Sequence, residues 1–337
     1  MRTDELLFDL PPELIASTPL AERDASRLLV LRREGGTLTD DVIRSLPSLL
    51  PDGALLVVND TRVIPARLRL RRHTGGAAEV LLLDPLDTEN RVWEAMVRGA
   101  RKMQAGEALE ANGVPLVRIE RRSDAGDTMV VSLIGEGNPL EVLQRHGEMP
   151  LPPYITAPLA RPDRYQTVYA NEPGSSAAPT AGLHFTPALL GALEAMGVQI
   201  ARVELVVGLD TFKPVSAADP RKHQIHSERY RVPSATTEAV HEAKRVVAVG
   251  TTSVRALESA ATSGEAEGRT RLFIHRPYEW KTVDLMLTNF HLPRTTLLMM
   301  IDAFVGPRWR GLYDAALQGG YRFLSFGDAM LLDRSLN

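Results

Sequence analysis

The chain of 337 residues has no cysteine, which excludes disulfides, thiolate metal sites, iron–sulfur clusters and a cysteine nucleophile. It also lacks long apolar runs: stretches such as Leu297 to Ile301 stop at charges like Asp302, short of the ~18 residues a membrane helix needs. The amino-terminus carries Asp4, Glu5 and Asp9 where a secretory signal has a basic start and an apolar stretch. These absences set the expectation of a cytoplasmic protein with no membrane partner and no evident obligate protein partner. A strong charge of one sign is missing too. With 39 Lys and Arg against 42 Asp and Glu the net charge is -3, so the whole molecule has no general attraction for nucleic acid.

What is present is the composition of a folded protein, with 44% hydrophobic and 24% charged residues, 25 Gly and 23 Pro, unlike collagen, a coiled coil or a disordered tail. At about 150 residues per domain the length predicts two domains. Apolar strand signals fall at 27–31 and 54–58, and Pro11 opens a helix. From 63 to 134 the pattern changes to short β-type runs at 63–70, 77–83, 92–97, 114–119 and 128–134. Turn clusters such as Gly75-Gly76 and Asn112-Gly113 separate them, the signature of a small barrel or sandwich. A helix at 139–145 and a proline-rich stretch at 149–162 close this region. Alternating signals follow: helices at 187–196, 236–244, 253–262, 295–304 and 309–318, and strands at 199–207, 246–249 and 271–275. The expected fold is α/β: a discontinuous α/β catalytic domain, 1–62 with 150–337, and an inserted all-β, barrel-like domain, 63–149.

Charge is uneven along this plan. Between Thr61 and Arg122 there are 12 basic and 8 acidic residues, so this segment is positive in an otherwise acidic chain. Arg62, Arg67, Arg69, Arg71 and Arg72 are expected on one strand face, either meeting phosphates or simply solvated.

Several motifs carry chemistry. Gly135-Glu-Gly137-Asn-Pro-Leu140 imitates a dinucleotide-binding turn, but its third glycine is Leu140 and no second strand ending in an acid follows. Val249-Gly-Thr-Thr-Ser-Val-Arg255 runs from a strand into a helix, where free N–H groups with Thr251, Thr252, Ser253 and Arg255 suit a phosphate or carboxylate, or form an ordinary cap. His184 precedes a helix whose Thr186 and Pro187 read as N-cap and first residue. His223, His226 and Glu228 read as metal ligands, acid/base residues or a hydrogen-bonded cluster; without cysteine the latter two are favoured. Asn289 and His291 sit on a loop before an apolar helix. Asn59, Asp60 and Arg62 form a polar knot at the domain junction, either a ligand cleft or a structural ion pair.

Taken in order, these strings resemble one family, the S-adenosylmethionine:tRNA ribosyltransferase-isomerases of queuosine biosynthesis. The likeness runs from Phe8-Asp-Leu-Pro through Arg23-Asp-Ala-Ser-Arg, Asn59-Asp-Thr-Arg-Val-Ile-Pro-Ala-Arg67, Gly147-Glu-Met-Pro-Leu-Pro-Pro-Tyr154 and Tyr165-Gln-Thr-Val-Tyr169. It continues through Pro179-Thr-Ala-Gly-Leu-His-Phe-Thr186, Val249 to Arg255 and Thr288-Asn-Phe-His-Leu-Pro293 to Tyr321-Arg-Phe-Leu-Ser-Phe-Gly-Asp-Ala-Met330. The chain departs from the family pattern at Val206, Asp210 and His275-Arg-Pro277.

The resemblance implies an enzyme that transfers and isomerises the ribosyl group of S-adenosylmethionine onto 7-aminomethyl-7-deazaguanine at the wobble position of tRNA. The products are epoxyqueuosine-tRNA, adenine and methionine. S-adenosylmethionine is then a co-substrate, with no metal or other cofactor required. Acid and base are expected among His184, His226, Glu228, Asp60 and His291. Substrate contacts are expected from Asn59, Arg62, Thr180, Gly182, Thr251, Thr252, Ser253, Arg255 and Asn289, and tRNA contacts from Arg69, Arg71 and Arg72. The alternatives are a methyltransferase using the same donor and a non-catalytic RNA-binding protein.

Overall fold

The structure, a computed structural model, describes residues 3–32, 37–123, 126, 128–155, 159, 161–208, 217, 219–223, 225 and 227–334. A nine-stranded sheet forms its larger part, in the order Glu267–Thr270, Glu228–Arg231, Gln199–Leu205, Ala54–Asn59, Arg245–Val249, Leu285–Asn289, Ala329–Asp333, Arg27–Leu31, Leu38–Val42. The four strands from Gln199–Leu205 to Leu285–Asn289 run parallel. Residues 54–58 and 246–249 of the two central strands are apolar without interruption because both faces are covered, whereas Gln199–Leu205 alternates and exposes Gln199 and Arg202. Leu55, Val57, Ala248 and Met286 face one core, with the helices Gly250–Ser263, Thr296–Val305 and Trp309–Gln318. Leu56, Val58, Val247 and Leu287 face the other, with the helix Pro187–Ala195.

The second unit is a closed six-stranded barrel. Arg67–Arg72, Ala77–Pro85, Val92–Arg98, Met129–Leu133, Val114–Arg122 and Ala108–Ala111 pair in that order, and the last returns to the first. Strict alternation fills the interior: Leu68 and Leu70 point in and join Val80, Trp93, Val117 and Val131, while Arg69 and Arg71 point out. The expected α/β architecture with an all-β barrel is therefore present. One ion pair bridges barrel and sheet, Asp84 with Arg269 at 2.5 Å.

Several local expectations are corrected. The run expected at 63–70 is two strands, Thr61–Val63 and Arg67–Arg72, broken at Pro65, which cannot donate to a ladder. The strand expected at 271–275 lies earlier, at Glu267–Thr270, and the helix expected at Pro11 is a short 3-10 turn, Pro12–Leu14. Arg72 does not share the outer face of Arg69 and Arg71. It stands opposite buried Leu109, and its guanidinium turns to Glu107 at 2.6 Å.

Candidate functional site

The parallel strands Ala54–Asn59, Arg245–Val249 and Leu285–Asn289 end on one side of the sheet, where ligands of open α/β sheets bind. A cleft enclosing about 580 Å³, its open mouth included, lies at the ends of the latter two. Gly250, Thr251 and Thr252 form one wall, Pro179 and Thr180 a second, Thr288, Asn289 and His291 a third, and Tyr154, Leu324 and Ser325 the rim.

The first wall is a helix start. Gly250 has φ +84°, and the helix begins there, three residues earlier than the sequence pattern suggests. Val249 therefore occupies the cap position and offers no side-chain acceptor, so the cap expected from Thr or Ser is not made. Ser253 donates back to Val249 O at 2.7 Å, and buried Thr252 Oγ1 has no partner among the described residues. Uncapped N–H groups and a free hydroxyl thus face the cleft, an arrangement suited to an anion or other acceptor.

Arg255 lies one turn deeper on the same helix, three residues beyond Thr252. It is 9% exposed and pairs with Glu228, which also accepts from Gly208 N at 3.0 Å. Burial lowers the Arg255 pKa to about 10. Both residues line a neighbouring apolar pocket with His223, Ile225, Phe273 and Met300, which shares Leu297 with the main cleft. Arg255 is therefore a deep, countered charge rather than an exposed one.

The third wall is a hydrogen-bonded relay. Thr180 Oγ1 donates to Asn289 Oδ1 at 2.9 Å, and Asn289 Nδ2 meets His184 Nε2 at 3.1 Å. His184 sits behind the cleft wall in the turn Thr180–His184. Burial depresses its pKa to about 4, against a smaller upward pull from a hydrogen bond to the Arg23 backbone. His291 lines the cleft itself, with Nε2 3.0 Å from Thr288 Oγ1, and burial takes its pKa to about 3. Both imidazoles are neutral at physiological pH.

Gly182 belongs to the same turn, and a Cβ there would stand 2.0 Å from Tyr169 Oη, so only glycine fits. Leu324 on the rim holds φ +71°, an uncommon backbone for a bulky residue. It is fixed by its N–H to Phe290 O at 3.1 Å and by Gly327 N to its own carbonyl at 2.9 Å. Backbone strain of this kind gathers at functional sites.

The remaining candidates are placed elsewhere. Asn59 is fully buried and ties strands together, donating to Leu205 O at 3.0 Å and accepting from Thr61 N at 3.1 Å. Asp60 faces Arg202 at 3.7 Å, away from the cleft lining; burial raises its pKa, Arg202 opposes this and Glu172 adds to it. Arg62 is exposed on Thr61–Val63. His226 and Asp210 lie outside the described residues. Arg69, Arg71 and Arg72 line a barrel groove with Arg98 and Lys102, but Arg69 is paired with Glu148 at 2.9 Å and Arg72 with Glu107. No group of three potential metal ligands occurs among the described residues.

Tyr154, Ser325, Thr288 and Thr295 were not singled out from the sequence as site residues, although all four line the cleft. The Tyr154 hydroxyl bonds Ser325 Oγ, and burial pushes its pKa up to about 12. For Tyr154, Thr288 and Ser325 the sequence signal was membership of the family-like strings, and Thr295 lies just beyond one of them.

Residues 3–332 match the sequence model of a family described as queuosine biosynthesis protein. The chain belongs to that family. An S-adenosylmethionine:tRNA ribosyltransferase-isomerase from Rubrobacter xylanophilus is 48% identical over 333 residues, 98% of each chain. One of the same name from Carboxydothermus hydrogenoformans is 47% identical over 341 residues, 98% of this chain and all of that one. A crystal structure of an S-adenosylmethionine tRNA ribosyltransferase from Thermotoga maritima is similar with a TM-score of 0.56 and 36% identity, covering 97% of this chain and 99% of that one. Membership of the queuosine biosynthesis family makes the chain an enzyme of the transferase and isomerase class. No helix among the described residues is long and apolar enough to cross a membrane.

Proposed function

We propose that this chain joins the ribosyl group of S-adenosylmethionine to 7-aminomethyl-7-deazaguanine at the wobble position of tRNA. The sugar rearranges to the epoxycyclopentanediol of epoxyqueuosine, with release of adenine and methionine. The observation that carries this reading is the cleft where the uncapped helix start Gly250–Thr252 faces the Thr180–Asn289–His184 relay and His291. Supporting it, the chain is similar along nearly its whole length to proteins named for this chemistry.

In this reading the donor's methionyl carboxylate rests on the N–H groups of Gly250 to Thr252, with the Thr252 hydroxyl as a further donor. Arg255, held by Glu228, adds positive charge behind them. Asn289 and Thr180 orient the sugar or the incoming base. The donor's sulfonium acidifies the adjacent C5′ protons, so a neutral base is needed, and the reactivity of the donor itself replaces any metal or redox group. His291 is our choice among the five ionisable candidates because, among the described residues, it alone of these lines the cleft. His184 acts through Asn289 as a positioning residue, and Glu228 through Arg255. The roles of Asp60 and His226 rest on the family resemblance alone.

The division into a catalytic unit, 1–62 with 150–337, and an insert, 63–149, follows the same reading. The barrel groove holds tRNA phosphates, with exposed Arg71 and Arg98 free of ion pairs among the described residues. The site of action is the cytoplasm, where tRNA is modified.

The test supplies donor labelled either on the methyl or on the ribose carbons, together with precursor tRNA. Ribose label entering tRNA supports the reading, whereas methyl label there establishes the methyltransferase alternative. His291→Asn should lower adenine release by about 10²–10⁴-fold if His291 moves the proton. A folded variant with wild-type rate removes that assignment.

A further inference from the structure

The arginines of this protein are held in two ways. On the barrel, Arg69 and Arg72 are each countered by a carboxylate. Arg23, Arg164 and Arg322 are held by backbone carbonyls instead. Arg23 donates to Gln166 O at 2.8 Å, Asp163 O at 3.1 Å and Leu183 O at 3.3 Å. Arg164 donates to Leu20 O at 2.5 Å and Ala21 O at 3.3 Å, and Arg322 to Thr18 O and Phe326 O, both at 2.7 Å.

A carbonyl fixes a guanidinium without cancelling its charge. None of the three pairs with a carboxylate of the described residues. The nearby acids are otherwise engaged: Asp163 with Arg161 at 2.7 Å, Asp24 with Thr186 Oγ1 at 3.1 Å and Arg44 at 3.3 Å, and Asp328 with the backbone N–H groups of Arg27 and Arg322 at 2.9 and 2.8 Å. Arg23 and Arg164 are close enough that, after burial, Arg164 is the next cause lowering the Arg23 pKa.

Arg23 and Arg164 line another pocket, about 260 Å³ with its open mouth included, together with Ser26, His184 and Ser325. It meets the main cleft at Ser325 and is separated from it by the His184–Asn289 contact. We propose that this pocket binds a phosphodiester of the RNA strand, at a linkage flanking the nucleotide whose base enters the main cleft. This rests on the tRNA reading above and adds where the strand is gripped. A phosphodiester suits it better than the donor's carboxylate for two reasons. The donor carries a single carboxylate, already matched by the helix start in the reading above, and a nucleotide with its base in the main cleft has its flanking phosphates within reach of a pocket that shares Ser325 with that cleft. Half-exposed Pro19, Leu20, Arg23 and Arg164 leave the pocket open to a passing strand.

The experiment measures binding of the full-length protein to an anticodon stem-loop carrying the precursor base, by filter retention over a range of salt. In one RNA each flanking phosphodiester is replaced in turn by an uncharged methylphosphonate. One of the two replacements should weaken binding to wild-type protein by about tenfold. It should also flatten the slope of log affinity against log salt by about 0.7, the value for one phosphate of a single strand. Arg164→Gln should do the same to unmodified RNA, and in that variant the replaced linkage should cost nothing further, because the two changes remove one contact. Donor affinity, titrated directly, should not change, and Arg164→Lys should restore part of the loss.

The proposal is overturned if both methylphosphonate RNAs bind wild-type protein as tightly as unmodified RNA, or if Arg164→Gln weakens the donor instead. The methylphosphonate arm needs no variant, so a misfolded Arg164→Gln leaves it decisive. Binding needs no turnover either. Failure to release adenine contradicts the proposed reaction and leaves the phosphate site to be judged by the affinities.

Discussion

Glu258→Gln exposes how far buried hydrogen bonds hold the candidate cleft together. Glu258 is fully buried in the helix Gly250–Ser263, whose first turn forms one wall. Its carboxylate accepts four bonds. Tyr278 Oη at 3.1 Å and Lys281 N at 3.0 Å reach Oε2, and Thr282 N at 2.9 Å and Val283 N at 3.0 Å reach Oε1. Together they fasten the segment 278–283 to the helix. Glutamine is nearly isosteric, so no cavity opens. One end of its amide is NH₂, however, and in either orientation two donors then face a donor. With the NH₂ toward Tyr278 and Lys281, the tyrosine hydroxyl can rotate to accept, and one backbone N–H stays unsatisfied. That N–H costs about 1–3 kcal/mol, and the bonds that survive lose their charge assistance, so the total expected is about 2–4 kcal/mol. Equilibrium unfolding in urea reads it as a lower midpoint with an unchanged slope. A loss under about 0.5 kcal/mol, the range of surface substitutions, would show that these four bonds are not made in solution.

Three further outcomes are expected. Gly182→Ala drives a methyl into Tyr169 Oη and should destabilise the fold by about 1–3 kcal/mol while raising the donor KM; a neutral result refutes the tight turn behind the relay. Arg255→Met or Glu228→Met alone leaves a buried charge unpaired and should cost about 3–5 kcal/mol, whereas the double variant should cost less than either, and additive losses refute the pairing. His184 and His291 have folded pKa values of about 4 and about 3, below the 6.5 of an unfolded histidine, so as pH falls below 6.5 the unfolded chain takes up protons that the folded chain refuses. Stability should therefore drop by about 1.4 kcal/mol per pH unit for each histidine between about pH 6 and 4, and His291→Asn should remove one share of that slope.

Where the sequence was readable, the reason was local. The strands Ala54–Asn59 and Arg245–Val249 are unbroken apolar runs over 54–58 and 246–249 because both faces are buried, and the barrel announced itself through alternation between turn clusters. Asn289 was placed on a loop and ends the strand Leu285–Asn289, because three apolar residues, Leu285 to Leu287, are too few to carry a period that separates strand from helix. Leu38–Val42, with Asp40 and Asp41, has little strand propensity and exists only through its ladder with Arg27–Leu31. Glu228 was read within a polar cluster and opens the strand Glu228–Arg231, paired on both sides, whose alternate residues, Glu228 and Tyr230, turn inward. Of the residues proposed for the site, Thr180, Thr251, Thr252, Asn289 and His291 line one cleft, brought together by the turns at the ends of the strands. Asn59 does not: a buried asparagine that knits strands and one that meets a ligand have the same local sequence. Arg255 was read together with the helix start, and the structure sets it one turn deeper, paired with Glu228 in the apolar pocket lined by Phe273 and Met300.

The most direct measurement incubates the purified protein with S-adenosylmethionine and tRNA carrying 7-aminomethyl-7-deazaguanine, and follows adenine release alongside the mass of the tRNA. Adenine appearing in step with tRNA that gains the rearranged sugar, and not a methyl group, is the expected result. Folded protein that binds both substrates yet releases no adenine, or tRNA that gains a methyl group alone, would contradict it.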